Sequence, residues 1–441
     1  MKGRCDDGSF PYHPRLMRRV VLAALTLAAA LVAVPAAGAW TTLSAEVQPA
    51  VIPAVLVTQV GTELISFDSP TGGTISVSRG GGTPKVIVAN DPSAERTQLV
   101  QQPNGAIQLY FPNAAGVGRM TSTDDGVSWT GPIQTLSHDV GAVSGAAVMP
   151  DGTPLFSQDG TGFVNVFRGL NGEAVKNVFP RCCGYHESLA VDTTGLVQVA
   201  FYSNADPDGT TVYEPLGGDL SPGSPTALKP VAEHEAPLVS DKAGNTFLAW
   251  APGYPTATVF TVVPFRGGQP AGDGVSFRAS FTGGDPHMAL SVDSQDRLWA
   301  AWTGQNAVHV ARSRTHGMDF GAVVSVALPG TAHEISAVGI PGNPGKIDVI
   351  VNTGSSLIEQ QLLPGLSVRV FKTTKKVGKK KIVSWFAQVL DDGFGVTTAK
   401  VSAGGHTVHV NASGTARLKG LPHGSAKAAA PGYTGASFKV P

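Results

Sequence analysis

The sequence is short of charge, of cysteine and of any pattern typical of a long helix. Only 15% of its 441 residues are charged, 32 basic residues balance 32 acidic ones, and three are cysteines. Bulk charge therefore gives no reason to expect a nucleic-acid partner. Glycine (54 residues) and proline (32 residues) are abundant instead. This composition predicts an all-β protein of many short strands joined by tight turns.

The one long apolar run lies at the N-terminus. It follows two arginines, covers residues 20–34 and ends in the small residues at 37–39. This arrangement predicts a secretory signal peptide over residues 1–39, with cleavage before Trp40 and Met17 as the better start of translation. The run is shorter than the roughly 20 apolar residues that span a bilayer. We therefore expect a secreted, extracellular protein with no membrane span in its mature form.

A unit of apolar strand, tight turn and second apolar strand recurs through most of the chain. Its turn positions are Gly61, Gly105, Gly152, Gly195, Gly244, Asp296 and Gly345. The units stand about 43 to 52 residues apart, and two weaker strands follow each one. Four strands per repeat at this period are typical of a β-propeller blade. We predict a propeller over residues 40–363 with seven blades, or six if the first hairpin only helps to close the ring.

One turn sequence links the repeat to a known family. Ser122, Asp124, Gly126 and Trp129 fit the pattern S-x-D-x-G-x-x-W, and weaker copies stand in three other units. The motif resembles the Asp-box of the sialidase-like, or BNR-repeat, proteins. That resemblance implies a structural turn between outer strands, in which the Asp accepts backbone N–H groups and the Gly takes a positive φ. It does not imply sialidase activity, because the Arg-Ile-Pro motif and the arginine triad of that family are not recognisable here.

The sequence changes character after the repeats. Residues 364–382 are rich in lysine and predict a linker or a hairpin that is either solvated or binds an anionic polymer. Residues 383–441 alternate as short strands and resemble the small Ig-like or carboxypeptidase-regulatory-like β-sandwiches appended to secreted bacterial enzymes. The resemblance rests on Asp392, Gly393, Val396, Ala399, Val401, Gly414, Gly432 and Tyr433.

Histidines and carboxylates recur just ahead of the first strand of each unit. The candidate ligand-binding residues at these positions are Arg96, His138, His186, His234, His287 and His333. The acidic neighbours are Asp139, Glu187, Glu235, Asp285 and Glu334, which are the candidates for acid and base catalysis. Loops from every blade meet at one mouth of a propeller, so these side chains should converge. There they either bind a ligand or a divalent metal, act as general acids and bases, or form solvated strand starts.

The adjacent cysteines Cys182 and Cys183 open the fourth unit. Neighbouring Cα atoms lie about 3.8 Å apart, whereas ordinary disulfides prefer about 4.4–6.8 Å, so a vicinal disulfide would be strained. We favour such a disulfide as a staple of the loop. The alternatives are a metal site formed by Cys183 and His186, and two free or intermolecularly bridged thiols.

Taken together, these features predict a secreted, monomeric protein that binds an extracellular ligand, foremost a glycan, at the mouth of the channel. A non-catalytic role is favoured, and no cofactor is required, although a divalent metal is compatible with the site. The alternative is a glycoside hydrolase or lyase. Carboxylates about 5 Å apart would suit a retaining hydrolase, about 6.5–9.5 Å an inverting one, and a separation above about 10 Å would exclude this alternative.

Overall fold

The computed structural model describes most of the chain from residue 39 onward. The described residues are 39–47, 51–68, 73–89, 96–135, 141–160, 163–178, 184–203, 209–228, 235–252, 257–279, 287–304, 306–419, 421 and 423–440. Every regular element in these ranges is a β-strand, which confirms the all-β prediction. No described segment forms a helix that could cross a membrane.

Residues 41–362 form seven sheets in the described part of the chain. The first three sheets comprise β2 (Ala54–Val57), β3 (Glu63–Asp68), β4 (Ile75–Arg79) and β5 (Lys85–Val88); β6 (Gln98–Gln101), β7 (Ile107–Asn113), β8 (Gly116–Ser122) and β9 (Thr130–Gln134); and β10 (Ala142–Val148), β11 (Pro154–Gly160), β12 (Phe163–Arg168) and β13 (Ala174–Asn177). The fourth and fifth comprise β14 (Gly184–Val191), β15 (Val197–Ser203), β16 (Thr210–Leu216) and β17 (Thr226–Leu228); and β18 (Leu238–Ser240), β19 (Asn245–Trp250), β20 (Val259–Arg266), β21 (Gln269–Pro270) and β22 (Val275–Arg278). The sixth comprises β23 (Met288–Val292), β24 (Arg297–Gly304), β25 (Ala307–Thr315) and β26 (Val324–Ala327), and the seventh β27 (Glu334–Ile340), β28 (Lys346–Asn352), β29 (Leu357–Leu362) and the N-terminal β1 (Thr41–Ser44).

The hairpin between the first two strands of each sheet is held by its turn chemistry. In the fourth sheet, Gly195 takes a φ of 85° and donates its N–H to the carbonyl of Asp192. The Asp192 carboxylate also accepts the backbone N–H groups of Thr194 and Leu196, so the turn is closed from both sides. Asp296 fills the glycine slot of the sixth sheet with a φ of 56°, a conformation that Asp tolerates better than most residues.

The first strands of the seven sheets form a closed ring. Each contacts the first strand of the next sheet, and β27 contacts β2. The ring is completed by β1, which pairs antiparallel with β29 and so gives the last sheet its outermost strand. The first hairpin, β2 and β3, therefore does not close the ring. It forms the inner half of a complete four-stranded sheet. These features confirm the prediction of a β-propeller.

The S-x-D-x-G-x-x-W motif, from Ser122 to Trp129, forms the turn between β8 and β9. Ser128 donates its backbone N–H to Asp124 Oδ1 at 2.9 Å, and Gly126 donates its own N–H to Ser122 Oγ at 2.9 Å. Gly126 has a φ of 80°, and Trp129 packs against the core shared by the first two sheets. The motif lies between outer strands, where it fixes a turn.

The C-terminal residues form two further sheets around one hydrophobic core. The strands are β30 (Ser367–Val377), β31 (Lys380–Asp391), β32 (Phe394–Gly395), β33 (Lys400–Ala403), β34 (His406–His409), β35 (Thr415–Arg417), β36 (Gly424–Ala429) and β37 (Ala436–Val440). The lysine-rich stretch is a hairpin, since β30 and β31 pair along their whole length. The sequence-based boundary at 382/383 thus falls inside β31, and the hairpin belongs to the C-terminal domain.

A buried arginine joins the propeller to this domain. Arg312 of β25, only 3% exposed, donates to the carboxylates of Asp391 and Asp392 and to the carbonyl of Pro344. Tyr433 donates its hydroxyl to the same Asp391 at 2.7 Å. Removing one partner of such a buried pair leaves an uncompensated charge, so the contact couples the two domains.

Candidate functional site in the central channel

The first strands of the seven described sheets line a cavity of about 250 Å³. Its apolar wall consists mainly of alanine, leucine, isoleucine and valine from the inner strands, and its polar groups come from the residues that begin these strands. A second groove, of about 630 Å³, lies between the outer strands beside the turn from β8 to β9, and its described lining contains no histidine or carboxylate. The histidine and carboxylate side chains thus identify the central cavity as the candidate site.

Three side chains from three successive sheets meet on one side of the channel. Glu235 precedes β18, His287 precedes β23, and Glu334 is the first residue of β27. One ligating atom from each lies within 4.8 Å of the other two. His287 Nδ1 is 2.8 Å from Glu235 Oε1 and 3.5 Å from Glu334 Oε2. We call these three residues the acidic cluster.

The acidic cluster is fixed in place and largely removed from water. Each of its side chains is only 11–13% exposed. The second carboxylate oxygen of Glu235 accepts the backbone N–H of Met288, which ties the fifth sheet to the sixth. Glu334 Oε2, by contrast, is buried without a hydrogen-bond partner. A buried oxygen of this kind is costly unless another group satisfies it.

Burial and mutual charge shift the titration of this cluster. Burial raises the pKa of Glu235 to about 7, although the neighbouring His287 works against the rise. Burial alone would lower the pKa of His287, but Glu235 and Glu334 outweigh it and raise that pKa to about 10. These shifts favour a proton on the imidazole, which lies between the two carboxyl groups.

A cationic group lines another part of the same cavity. Arg96 sits beside Ile52 through a parallel bridge and also lines the channel. Its guanidinium lies against the His186 ring, with Nη2 3.0 Å from Nδ1, and donates to Ser144 Oγ at 3.2 Å. Among the described residues no carboxylate lies within ion-pair distance of Arg96. The channel thus presents an arginine in addition to the acidic cluster.

The backbone at His186 and Glu187 departs from regular strand geometry. The pairing of β14 with β15 shifts register between Tyr185 and Ser188, and His186 has a φ of 53°. Its N–H is held by Asp159 Oδ2 at 2.9 Å. Bulges and left-handed non-glycine residues of this kind are enriched at functional sites.

Glu187 is almost completely buried beside this bulge. It is 1% exposed, and neither of its carboxylate oxygens has a hydrogen-bond donor. Burial, and then the nearby carboxylate of Asp159, hold its pKa well above the usual range. It contributes a buried carboxyl group to the wall, and Arg96 is the cationic member of this side.

The structure separates the sequence-based candidates into three groups. Arg96, His186, Glu187, Glu235 and Glu334 line the cavity, and His287 joins the acidic cluster. His333 is exposed and lies against Gly354, outside the cavity lining. The remaining candidates lie outside the described residues; they are His138, Asp139, Cys182, Cys183, His234 and Asp285.

Two polar participants on the arginine side, Ser144 and Asp159, are not among the sequence-based candidates. Ser144 lies in β10, the innermost strand of the third sheet. Asp159 lies near the end of β11, which pairs with β10. A serine within an apolar first strand and a carboxylate in a buried second strand are the signals that would have identified them.

Comparisons with known proteins support the fold. No family model and no curated protein matches the chain. The WD40 domain of Toxoplasma gondii coronin aligns with a TM-score of 0.50 and 13% identity, over 76% of this chain and 88% of that one. Virginiamycin B lyase from Staphylococcus aureus aligns with a TM-score of 0.48 and 12% identity, over 73% and 99% of the two chains. At such identity the likeness concerns the fold alone, and the class it defines is the β-propeller.

Proposed function

We propose that the protein binds a small anionic ligand in the central channel and acts on it with a divalent cation held by the acidic cluster. The reaction class that fits is a hydrolase or lyase reaction. The observation that carries this proposal is the convergence of Glu235, His287 and Glu334, whose ligating atoms lie within 4.8 Å of one another beside an open cavity.

The donor set suits a cation such as Mn²⁺ or Zn²⁺. One imidazole nitrogen and two carboxylate oxygens combine the ligand types that these ions accept. Glu334 Oε2 is buried without a hydrogen bond, its nearest charged neighbour being His287 Nδ1 at 3.5 Å, and a cation would satisfy it. The cation would replace the proton that His287 shares with Glu235, because a metal-bound imidazole is neutral.

Each residue then has a defined task. Glu235, His287 and Glu334 hold the cation, which polarises a carbonyl or lowers the pKa of a bound water when it is present. Arg96 binds an anionic group of the ligand, since a guanidinium pairs well with a carboxylate or phosphate. Ser144 orients Arg96 through the 3.2 Å contact to its Nη1. The apolar walls exclude water from the bound ligand.

The glycoside-hydrolase alternative receives less support from this arrangement. The carboxylates of Glu235 and Glu334 meet the distance limit, because their oxygens lie within 4.8 Å. However, His287 occupies the space between them and contacts both, so a sugar ring does not fit between the two carboxylates. The described lining also includes no Phe, Tyr or Trp on which a sugar could stack. Glycan binding stays a prediction, as does secretion.

A cation titration with two matched variants tests the proposal. The chelator-treated protein is titrated with Mn²⁺ and with Zn²⁺ by calorimetry, beside Glu334→Gln and His333→Ala. We expect one site per chain, an affinity at least tenfold weaker for E334Q, and an unchanged affinity for H333A, because His333 lies outside the cavity lining. Failure of the unaltered protein to bind either ion, or equal affinities for all three proteins, would overturn the proposal.

A further inference from the structure

The hairpin of β30 and β31 carries an unusual surface at its far end. From Lys372 to Val383 every residue is exposed, so both faces of the hairpin are in water. Nearer the domain the two strands are anchored, where Phe371 stacks on Phe386 and Lys372 lies over the Trp385 ring. The free part extends four residue pairs, from Thr374–Val383 to Val377–Lys380, or roughly 13 Å at about 3.3 Å per residue. We call residues 372–383 the hairpin tip.

The hairpin tip is strongly basic. It contains Lys372, Lys375, Lys376, Lys379, Lys380 and Lys381. No acidic residue occurs between Ser367 and Leu390, and no described carboxylate forms an ion pair with these lysines. The charge is therefore presented to solvent without local compensation, and it is complementary to an anionic surface.

Apolar side chains stand among the lysines. Val377 is 53% exposed, Ile382 47% and Val383 52%, so three of the large exposed apolar residues of the described chain fall within seven positions. Directly paired residues of an antiparallel hairpin share a face. Lys375 pairs with Ile382 and Val377 with Lys380, which places an apolar group beside a lysine at two alternate pairs on one face of the hairpin.

We propose that the hairpin tip docks the protein onto an anionic lipid bilayer. Lysines near such a surface bind lipid phosphates, and apolar side chains beside them enter the boundary between headgroups and acyl chains, about 5–10 Å deep. The length of the free hairpin exceeds that depth, so the domain body stays in water. Lysines also prevent strands from pairing edge to edge, but that role gives no reason for the exposed valines and isoleucine.

Vesicle co-sedimentation tests the docking surface. The predicted mature chain, residues 40–441, is used, because the apolar leader would bind lipid by itself. At low salt we expect binding to vesicles of 30% phosphatidylglycerol in phosphatidylcholine, no binding to pure phosphatidylcholine, and at least tenfold weaker binding in 0.5 M NaCl. Absence of binding to the anionic vesicles overturns the proposal.

Three variants identify the residues responsible. Lys375→Gln, Lys376→Gln, Lys380→Gln and Lys381→Gln combined should weaken binding several hundredfold, at about fivefold per lysine. The charge-matched control changes the exposed lysines Lys400, Lys419, Lys427 and Lys439 of the same domain to Gln and should retain binding. An equal loss in the two quadruple variants would contradict docking through the tip.

The third variant separates a bilayer from a soluble polyanion. Val377→Ser, Ile382→Ser and Val383→Thr keep all the charge and should weaken vesicle binding at least tenfold while leaving heparin binding unchanged. If this variant binds vesicles as well as the unaltered protein does, the surface recognises charge alone and the bilayer proposal is wrong. Because these side chains are exposed, the variants should unfold at the temperature of the unaltered protein.

Discussion

A buried pair of carboxyl groups at the seam between the first and last sheets makes stability depend on pH. Glu63 begins β3 and Asp348 lies in β28; they are 8% and 1% exposed. Burial, followed by the charge of Asp348 and a hydrogen bond to it, raises the pKa of Glu63 to about 9. Burial also raises the pKa of Asp348 and that of the neighbouring Glu359, the latter to about 7.

The sign of the effect follows from the direction of these shifts. The folded protein keeps a proton on Glu63 that the unfolded chain releases above its ordinary pKa of 4.5. The corresponding contribution to stability is fully present below pH 4.5 and declines as the pH rises toward 9. While the folded protein binds one proton more than the unfolded chain, each pH unit changes the free energy of unfolding by about 1.4 kcal/mol. Between pH 5 and pH 8 the loss of stability from Glu63 is therefore at most about 4 kcal/mol.

Replacement of Glu63 by Gln should remove most of this dependence. The amide can still donate a hydrogen bond to Asp348 but has no proton to lose. Because Lys346 favours the charged form and offsets part of the burial, we expect E63Q to gain about 1–2 kcal/mol relative to the unaltered protein between pH 5 and pH 8. The free energy of unfolding is measured in urea at pH 5, 6.5 and 8, with Glu46→Gln at an exposed position as the control. An E63Q effect of equal size at all three pH values would refute the shared proton.

Three further predictions concern other parts of the molecule. Gly126→Ala should lower the free energy of unfolding by about 2–3 kcal/mol, because a Cβ there would lie 2.7 Å from Leu64. Gly105→Ala has a similar positive φ but open space around the Cβ, so it should cost about 1 kcal/mol; urea unfolding compares the two variants. Arg96→Ala should lose binding of oxalate to the Mn²⁺-loaded protein by calorimetry while Mn²⁺ binding itself persists, and joint loss of both would contradict the separate anion site. Intact mass with alkylation should show no free thiol at 182–183 before reduction, and two alkylated thiols would exclude the vicinal disulfide.

The propeller could be predicted because its signal repeats. A turn flanked by apolar strands recurs every 43 to 52 residues. The period is recognisable even where one unit is irregular, because every sheet shows it independently. The closing strand β1 has no such repeat around it. It is short, and its partner β29 lies more than 300 residues away, so pairing between them is invisible to local pattern.

The candidate site could be predicted in outline but not in detail. Sequence spacing placed His333 and Glu334 together at a strand start, yet neighbouring strand residues point to opposite faces, and it is Glu334 that enters the channel. At His186 a bulge changes the alternation, so both His186 and Glu187 line the cavity. Register and bulges depend on tertiary contacts such as the one from Asp159, which the local sequence does not report.

Completion of the ring by its N-terminal strand has a consequence for association between molecules. If β1 leaves its place, β29 presents an open edge of N–H and C=O groups, and an identical strand from another copy satisfies it with the same register. Exchange of this strand between two rings would yield a domain-swapped dimer with no new interface chemistry. The four residues Thr41–Ser44 therefore both complete the seventh sheet and cover the hydrogen-bonding edge of β29.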